Sequence, residues 1–424
     1  MPNNSILKKV LNIRGRRIAA NAGWLLALQI ANYLFPLLLI PTLTRNLGVQ
    51  NFGSFMIALS FAQFVSLVSD YGFNLTATAE IAKSAGDGAR VRRIVSTTWA
   101  AKIIIYLLAS LTTALIVLAV PPWRDLQSII FVFFLMPLGN VFFPQWYFLG
   151  SEQMHFVTVF NVVAKGVGLV SVILFVRAPS DCLLAAAIYA SSFLGAGMIS
   201  AVIALHKTKG LVWPQWADMM HAYREGWDIF LTSVAITVYT QLVTPLLGVV
   251  ASKDEVGHFA VAYKVCDAAS RIVSPLVQAA FPVVVQAVEI GTEPALKLIR
   301  RVGAVILFFA LLICLLLYTA RSEVWYYLGH NLLGRAENSF AILSTLPILI
   351  AISSVLAVLM MVPFGMLGEY KGAYIKAGVV SVLFGVPLIA MFHGTGAAVM
   401  VLLGEITGPI VMYTSLRKRG ISLL

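Results

Sequence analysis

The deciding stretch is residues 52–77, FGSFMIALSFAQFVSLVSDYGFNLTA, because it has a counterpart 204 residues later, VGHFAVAYKVCDAASRIVSPLVQAA at 256–280. At this offset Gly53 falls on Gly257 and Phe55 falls on Phe259. Polar residues recur in both stretches at steps of three and four, which places each set on one face of a helix. The positions paired on this face are Ser60 with Lys264, Gln63 with Asp267, Leu67 with Arg271, Asp70 with Ser274, and Asn74 with Gln278.

The composition indicates a polytopic membrane protein. The chain is 60% hydrophobic and only 11% charged, whereas an average soluble domain is about 25% charged. Its apolar runs are continuous and near the length of about 20 residues that spans a bilayer as a helix, which excludes the alternating pattern of a closed barrel. Twelve helices are predicted, at Ala19–Leu43, Phe52–Ala77, Thr98–Val120, Gln127–Leu149, Phe156–Val176, Cys182–Leu205, Trp227–Val250, Gly257–Val288, Val302–Ala320, Phe340–Pro363, Tyr374–Phe392 and Thr395–Ser415.

The distribution of lysine and arginine predicts the orientation of these helices. Nineteen of them lie in the two termini and in the loops that follow the second, sixth, eighth and tenth predicted helices, against six in the other loops. The positive-inside rule therefore predicts that both termini are cytoplasmic. The net charge of +12 is then a topology signal, and its dispersal over membrane-proximal loops argues against nucleic acid as a partner.

The internal repeat predicts two lobes of six helices around a central cavity. At the same offset Gln29 falls on Ser233, Tyr33 on Thr237 and Pro41 on Pro245. An even number of helices in each half gives both halves the same orientation, as in transporters with parallel repeats. The predicted division is an N-terminal lobe at 1–206, a cytoplasmic linker at 207–226 and a C-terminal lobe at 227–424.

The polar faces predict a water-filled cationic cavity between the lobes. A charge at mid-membrane costs about 2.5–3.5 kcal/mol, so Lys264, Asp267 and Arg271 would be expensive against lipid. Asp267 can pair with either cation at helical spacing, and Asp70 is a further candidate partner. The alternative, that these residues only hold helices together, stays open.

Further polar residues extend this prediction. Gln29, Asn32 and Thr237 lie in the first and seventh predicted helices and are expected to add to the cavity. Lys165 and Glu405 are intramembrane charges that could titrate in ion coupling, as could Asp70 and Asp267, or could form buried pairs. No catalytic constellation, metal-ligand spacing or phosphate-binding loop of the Gly-Lys-Ser type occurs in the sequence, so we expect no metal and no cofactor.

Several segments together resemble a known family. They are Asn-Leu-Gly-Val-Gln-Asn-Phe-Gly at 46–53, Asp-Tyr-Gly-Phe at 70–73, Ala-Thr-Ala-Glu-Ile-Ala at 77–82, Pro-Gln-Trp-Tyr-Phe-Leu-Gly at 144–150 followed by Ser-Glu-Gln-Met, and Val-Gly-His-Phe-Ala-Val-Ala-Tyr-Lys at 256–264. In order and helix placement they resemble the polysaccharide flippases that transport O-antigen and other repeat units, within the multidrug/oligosaccharidyl-lipid/polysaccharide exporter superfamily.

This resemblance implies a V-shaped fold whose members move undecaprenyl-pyrophosphate-linked oligosaccharides from the cytoplasmic to the periplasmic leaflet of the bacterial inner membrane. It implies that Lys264 and Arg271 attract pyrophosphate or acidic sugars, and that Asp267 and Asp70 orient them or carry a proton. Amides at Gln29, Asn32, Gln63, Asn74 and Gln278 would bind sugar hydroxyls. It also implies a proton or sodium gradient as the driving force, and a polysaccharide polymerase and a chain-length regulator as partners.

Three other functions remain open beside this prediction. A drug exporter of the same superfamily would be expected to have an acidic, aromatic-lined cavity for cations, whereas the cluster here is basic. A flippase for lipid-linked peptidoglycan precursors would carry additional helices. A membrane-embedded polymerase or acyltransferase would need a catalytic constellation. The longest outer loop, Arg321–Ser339, holds His330, Arg335 and Glu337, which is too little to build such a site.

Overall fold

The computed structural model describes residues 3–84, 86–323 and 337–421, with the backbone alone for 3–22, Leu25, Tyr33 and Pro36. Most of the described residues are helical, and no strand occurs among them. The helices of the first half are α1 (Asn3–Asp70), α2 (Phe73–Lys83), α3 (Gly88–Ala119), α4 (Pro121–Arg124), α5 (Gln127–Phe133), α6 (Leu135–Phe142), α7 (Gln145–Gly150), α8 (Met154–Phe175) and α9 (Cys182–Thr208). Those of the second half are α10 (Trp216–Thr240), α11 (Val243–Val250), α12 (Lys253–Ser270), α13 (Ser274–Ile290), α14 (Thr292–Thr319), α15 (Glu337–Leu343), α16 (Leu346–Ser354) and α17 (Leu367–Lys418).

Within these described ranges, ten helical stretches are long and apolar enough to cross a membrane. The first and the last are interrupted, at Gly48 (φ 74°) and at His393 (φ 49°), and both breaks fall where the sequence predicts a loop between two helices. Gly48 suits its break because glycine alone enters the left-handed region without steric cost. The all-helical, polytopic class is confirmed, whereas the count of twelve separate helices stays a prediction. Most of the outer loop named above lies outside the described residues.

The 204-residue repeat appears in the structure as a reciprocal contact between the halves. A Cβ added to Gly53 would lie 2.0 Å from the carbonyl oxygen of Lys253, and one added to Gly257 would lie 2.3 Å from that of Val49. Val49 and Lys253 are themselves separated by the repeat offset. Each half therefore inserts a glycine against the backbone of the other half, as two elements related by a rotation axis do.

The second long helix of each half also breaks at the equivalent place. In the first half α1 ends at Asp70 and α2 begins at Phe73. In the second half α12 ends at Ser270, a 3₁₀ turn covers Arg271–Val273, and α13 continues to Ile290. These breaks interrupt the polar face that the repeat predicts, before Asn74 in the first half and before Gln278 in the second.

One end of the molecule carries the loop after α2, residues 151–153 and the linker before α10. We call it the basic end, because the loop and the linker contain lysines and arginines that predict a cytoplasmic location. The halves meet there through α2, α3 and α10. The Tyr71 ring stacks on Phe230 with centroids 4.5 Å apart, and the Arg93 guanidinium donates to both carboxylate oxygens of Asp218 at 2.6 and 2.9 Å.

A second contact at the basic end brings Glu80, His221 and Glu225 together, with potential ligand atoms within 4.8 Å of one another. This group is not predictable from the sequence, because Glu80 is far from the other two residues along the chain. His221 and Glu225 are exposed, and they form an ion pair at 3.8 Å along one helix face. Glu80 belongs to the first half and the other two residues to the second, so the group forms part of the contact between the halves.

The opposite end carries α4, residues 176–181, residues 251–252 and the break at His393. Here the Trp123 indole donates a hydrogen bond to the carbonyl oxygen of Pro245 at 3.1 Å and joins the halves. His393 is held by Glu255, whose carboxylate accepts from the backbone N–H of Gly394 at 3.0 Å. The largest apolar core cluster contains residues of both halves, among them Phe52, Phe133, Tyr239 and Phe259.

Candidate functional site: a cationic cavity between the halves

A cavity of about 400 Å³ lies where α1 passes α12, and we call it the main cavity. Its walls come unevenly from the two halves. The first half supplies residues of α1, α6, α8 and α9, whereas the second supplies residues on and just after α12 together with Gln241. The polar side chains among them are Asn32, Gln63, Lys165, Tyr189, Ser192, Gln241, Lys264, Asp267 and Arg271. The remaining walls are apolar, with Leu39, Leu43, Phe52 and Phe55 among them.

The charges of the main cavity do not balance. Arg271 donates from Nε to both Asp267 oxygens, at 3.1 and 3.2 Å, which is the helical pairing that the sequence predicts. Lys264 lies one turn before this pair, and no carboxylate oxygen among the described residues lies within 4 Å of its Nζ. Lys165 adds a third cation, so the described lining carries two positive charges in excess.

Lys165 reaches the cavity from α8. Its ammonium donates a hydrogen bond to the Asn32 side-chain oxygen on α1, so two residues predicted separately meet in one contact. Gln63 lines the same cavity from α1, and its buried side-chain oxygen has no hydrogen-bond partner among the described residues. A buried acceptor without a donor is costly, so the cavity offers this oxygen to a ligand hydroxyl or to water.

The polar face of α1 continues into a second cavity of about 290 Å³, nearer the basic end. Asp70 and Asn74 lie here rather than in the main cavity. Asp70 pairs with Lys102 of α3 at 2.9 Å, and the Lys102 side chain is 4% exposed. This pairing replaces the expected partnership of Asp70 with the cations of α12. Ser66, Ser69, Asn140 and Gln145 also line the second cavity.

Four predicted residues line neither cavity. Gln278 is exposed and bonds to the Ser274 hydroxyl at 3.2 Å, Thr237 is buried within α10, and Gln29 is half-buried on α1. Glu405 is half-buried on α17, where it interacts electrostatically with Asp267 and Arg271. The structure thus brings Asn32, Gln63, Lys165, Lys264, Asp267 and Arg271 together.

Sequence reasoning missed Lys102, Gln241, Tyr189 and Ser192. Lys102 had a readable signal, because it is a lone charge inside the apolar run predicted at Thr98–Val120, and an intramembrane charge points to a function by default. Gln241 is likewise polar within an apolar run. Tyr189 and Ser192 had no such signal, since uncharged residues of this kind are common in helices that only pack.

The fold and the cavity define the class: a polytopic membrane transporter built from two similar helical halves. Within this class, a family model described as "Polysaccharide biosynthesis protein" matches residues 18–288. The chain therefore belongs to this family, as the resemblance predicted.

The chain is also similar to two curated proteins, both named "Putative O-antigen transporter". The one from Escherichia coli (strain K12) is 29% identical over 420 residues, which cover 96% of this chain and 99% of the relative. The one from Shigella dysenteriae is 27% identical over 384 residues, covering 89% and 94%. Both relatives are named as transporters rather than as enzymes.

Solved structures show the same fold. The inward-facing conformation of a multidrug resistance MATE family transporter of the MOP superfamily matches with a TM-score of 0.65 over 92% of this chain and 94% of that chain. The outward-facing conformation of such a transporter matches with a TM-score of 0.60 over 93% of each. Both are 14% identical to this chain, so the likeness concerns the fold alone.

Proposed function

We propose that this protein flips undecaprenyl-pyrophosphate-linked oligosaccharide repeat units across the bacterial inner membrane for the assembly of surface polysaccharide such as O-antigen. In this proposal the basic end faces the cytoplasm, in accord with the positive-inside rule, and transport runs toward the opposite end. The family and the O-antigen transporter relatives support a polysaccharide-related, lipid-linked substrate. The identity of the lipid carrier and the direction of transport go beyond these comparisons and belong to the proposal.

One observation carries the proposal: the charge excess of the main cavity. Lys165 and Lys264 face a space whose only lining carboxylate, among the described residues, is already paired with Arg271. A pyrophosphate brings negative charge and acceptor oxygens, and charge-assisted hydrogen bonds to such oxygens are roughly twice as strong as neutral ones. An anionic carrier head therefore offsets the cost of holding these cations within the membrane.

The size of the cavity defines which part of the substrate it seats. About 400 Å³ lies at the small end of the roughly 300–1,000 Å³ that ligand sites occupy. We infer that it holds the pyrophosphate and the sugar next to it, and that the rest of the glycan lies in the space between the halves. The Gln63 and Asn32 amides face the cavity where sugar hydroxyls need partners in place of water.

Ion coupling belongs to the same proposal. Asp267 is a cavity carboxylate, and Glu405 interacts with it electrostatically from α17. Lys165 is the cavity cation held by a neutral amide rather than by a carboxylate. Gain or loss of a proton at any of these groups changes the net charge seen by the carrier head. A proton gradient can therefore drive binding at one face and release at the other.

The same charge excess argues against export of cationic drugs, although the fold matches multidrug transporters. A cationic drug would enter a cavity that already carries two uncompensated positive charges, and like charges at close range repel strongly in a low-dielectric site. Aromatic side chains such as Phe52 and Phe55 do line the cavity, but its only carboxylate among the described residues, Asp267, is already paired with Arg271, so no unpaired acid remains to bind a cation. The flippase proposal therefore accounts for the cavity better.

The test is deletion of the gene in its native host, with assays of surface polysaccharide and of the undecaprenyl-linked repeat unit in the membrane. We expect loss of surface glycan, with intact single repeat units that remain inaccessible to reagents added from the periplasmic side. Complementation with the native gene should restore export. Complementation with Lys264→Gln should not, whereas Lys297→Gln, which removes a lysine of α14 that is 66% exposed, should.

A different distribution of the repeat unit would contradict the proposal. If single units reach the periplasmic face in the deletion strain and fail only to polymerise, the protein acts on the polymerase side of the pathway. If the Lys264→Gln variant is present in the membrane at normal amount and exports glycan normally, the charge excess is not the basis of substrate binding.

A further inference from the structure

The elbow that follows α6, residues 144–153 (PQWYFLGSEQ), is one of the segments that carry the family resemblance, yet it lines neither cavity described above beyond Gln145. It lines a separate cavity of about 560 Å³ at the basic end, which we call the elbow cavity. Three walls form it: residues 86–92 at the start of α3, the elbow, and the end of α9 at 207–209.

Packing between α7 and α2 fixes the elbow. A Cβ added to Gly150 would lie 2.8 Å from the carbonyl oxygen of Thr78 and 2.8 Å from the Cβ of Ile81. The Thr78 hydroxyl also donates to the carbonyl oxygen of Trp146 at 3.3 Å. The glycine thus allows a contact that no other residue permits, and the cavity wall is held in place by the fold.

The elbow cavity is basic and incompletely paired. Arg92, Lys207 and Lys209 line it, and Asp87 is its only carboxylate among the described residues. Asp87 is already engaged, because its Oδ1 accepts from the backbone N–H groups of Ala89 and Arg90 at 3.1 and 3.0 Å and caps α3. The Nε of Arg92 is buried and has no hydrogen-bond partner among the residues that the structure describes.

A buried donor without an acceptor is destabilising, and more so when the donor belongs to a charged group. An anion with several oxygens would satisfy the Arg92 Nε and neutralise the lysines at once. Lys207 is anchored beside the cavity, since it donates to the Gln153 side chain and lies 4.5 Å from the centre of the Phe156 ring. Lys207 is therefore positioned before any ligand arrives.

The surroundings place this cavity at the level of lipid headgroups. The chain leaves it at Lys209 and runs on to Trp213, 92% exposed, and Trp216, 63% exposed. Exposed tryptophans at the ends of membrane helices mark the interface between hydrocarbon and water. We propose that the elbow cavity binds the phosphate of an anionic phospholipid headgroup, and that the elbow segment exists to build this site rather than to handle the transported glycan.

The experiment uses the full-length protein in nanodiscs of phosphatidylcholine alone or with added phosphatidylglycerol. Retained lipid is counted by native mass spectrometry after transfer to detergent. We expect wild type to retain phosphatidylglycerol and Arg92→Gln/Lys207→Gln/Lys209→Gln to lose it. Each removed cation should weaken retention about fivefold, because a basic residue near an anionic surface contributes about 1 kcal/mol.

The control removes the same charge from the same end outside the cavity, with Lys297→Gln/Arg300→Gln/Lys418→Gln, and should retain phosphatidylglycerol as wild type does. If the triple elbow variant does not fold, Lys207→Gln/Lys209→Gln replaces it, since it leaves the half-buried Arg92 in place. Equal retention by elbow and control variants would overturn the proposal. If inorganic phosphate raises the melting temperature of wild type alone, while phosphatidylglycerol is not retained, the site binds a soluble phosphate instead of a lipid.

Discussion

At the scale of single residues, the charges near the polar face of α1 and α12 fall into two kinds. Asp70 with Lys102 and Asp267 with Arg271 are paired, whereas Lys264 and Lys165 have no carboxylate within ion-pair distance among the described residues. Paired charges in a membrane protein can be structural, because each reduces the desolvation cost of the other. Lys264 and Lys165 have no such pair, so an anionic ligand is the better explanation for their position in the membrane.

The first prediction concerns Lys264. Lys264→Gln should lower glycan export at least tenfold at equal protein amount, because a hydrogen bond to a charged group contributes about 1.5–3 kcal/mol and tenfold corresponds to about 1.4 kcal/mol. Lys264→Arg keeps the charge and should retain most export. The measurement is surface glycan per molecule of transporter in a deletion strain, and equal loss in both variants would mean that the lysine is needed for its shape and not for its charge.

A second prediction concerns the pair between Asp70 and Lys102. Asp70→Asn leaves a nearly buried ammonium without its partner, and such a loss typically costs 3–5 kcal/mol. Since the Asp70 side chain is 27% exposed, we expect about 2–3 kcal/mol here, seen as a lower melting temperature of the purified protein in detergent. Adding Lys102→Met to the same chain should recover more than half of the loss.

The exposed pair between Arg93 and Asp218 supplies the control, since the Arg93 side chain is 52% exposed. Breaking it with Asp218→Asn should cost less than about 1 kcal/mol, as is usual for surface ion pairs. A double variant of Asp70 and Lys102 no more stable than Asp70→Asn alone would show that the two side chains do not depend on each other.

At the scale of helices, the crossing of α1 with α12 depends on two glycines. The added Cβ of Gly53→Ala would lie 2.0 Å from a backbone oxygen, which no side-chain rotation relieves. We expect Gly53→Ala and Gly257→Ala each to destabilise the protein by about 3 kcal/mol, the upper part of the range for overpacking, as measured by the melting temperature. Gly195→Ala in α9 has open space around its Cβ and should be neutral; a similar loss there would point to general helix effects instead.

The sequence predicts the helices better than it predicts their contacts. Apolar runs locate nearly every membrane span, because lipid demands apolar residues at every exposed position. These runs end at the membrane boundary, however, whereas a helix can continue beyond it. Hence α3 begins at Gly88, ten residues before the predicted start at Thr98. The break at His393 was expected as a short loop, whereas its left-handed histidine depends on Glu255 in a distant helix.

The candidate site was also predictable only in part, because the sequence shows helix faces but not the contacts between helices. Periodicity shows which residues share a helix face, so Gln63, Lys264, Asp267 and Arg271 could be named together. It does not show where the helices cross, and the crossing decides which positions on a face meet a partner. Asp70 and Asn74 therefore share the face of Gln63 yet line another cavity, and Gln278 occupies an equivalent position in the second half but is exposed.

At the scale of the whole molecule, the two halves touch at both ends. At the basic end Tyr71 stacks on Phe230, and at the opposite end the reciprocal glycines meet. Alternating access in transporters with repeats requires one half to rock against the other around a central site. The contacts at the opposite end must therefore open when the main cavity releases its ligand on that side.

This requirement gives the last prediction. A Cβ added to Gly248 would lie 3.3 Å from the Cγ1 of Ile57, and a cysteine sulfur takes the position of that carbon, within reach of a disulfide. Ile57→Cys/Gly248→Cys, in a background without Cys182, Cys266 and Cys314, should cross-link on mild oxidation and stop glycan export. Reduction should restore export, and neither single variant should respond to oxidant. Normal export by fully cross-linked protein would mean that the halves do not separate at this end, and transport would then need a path that leaves their contact closed.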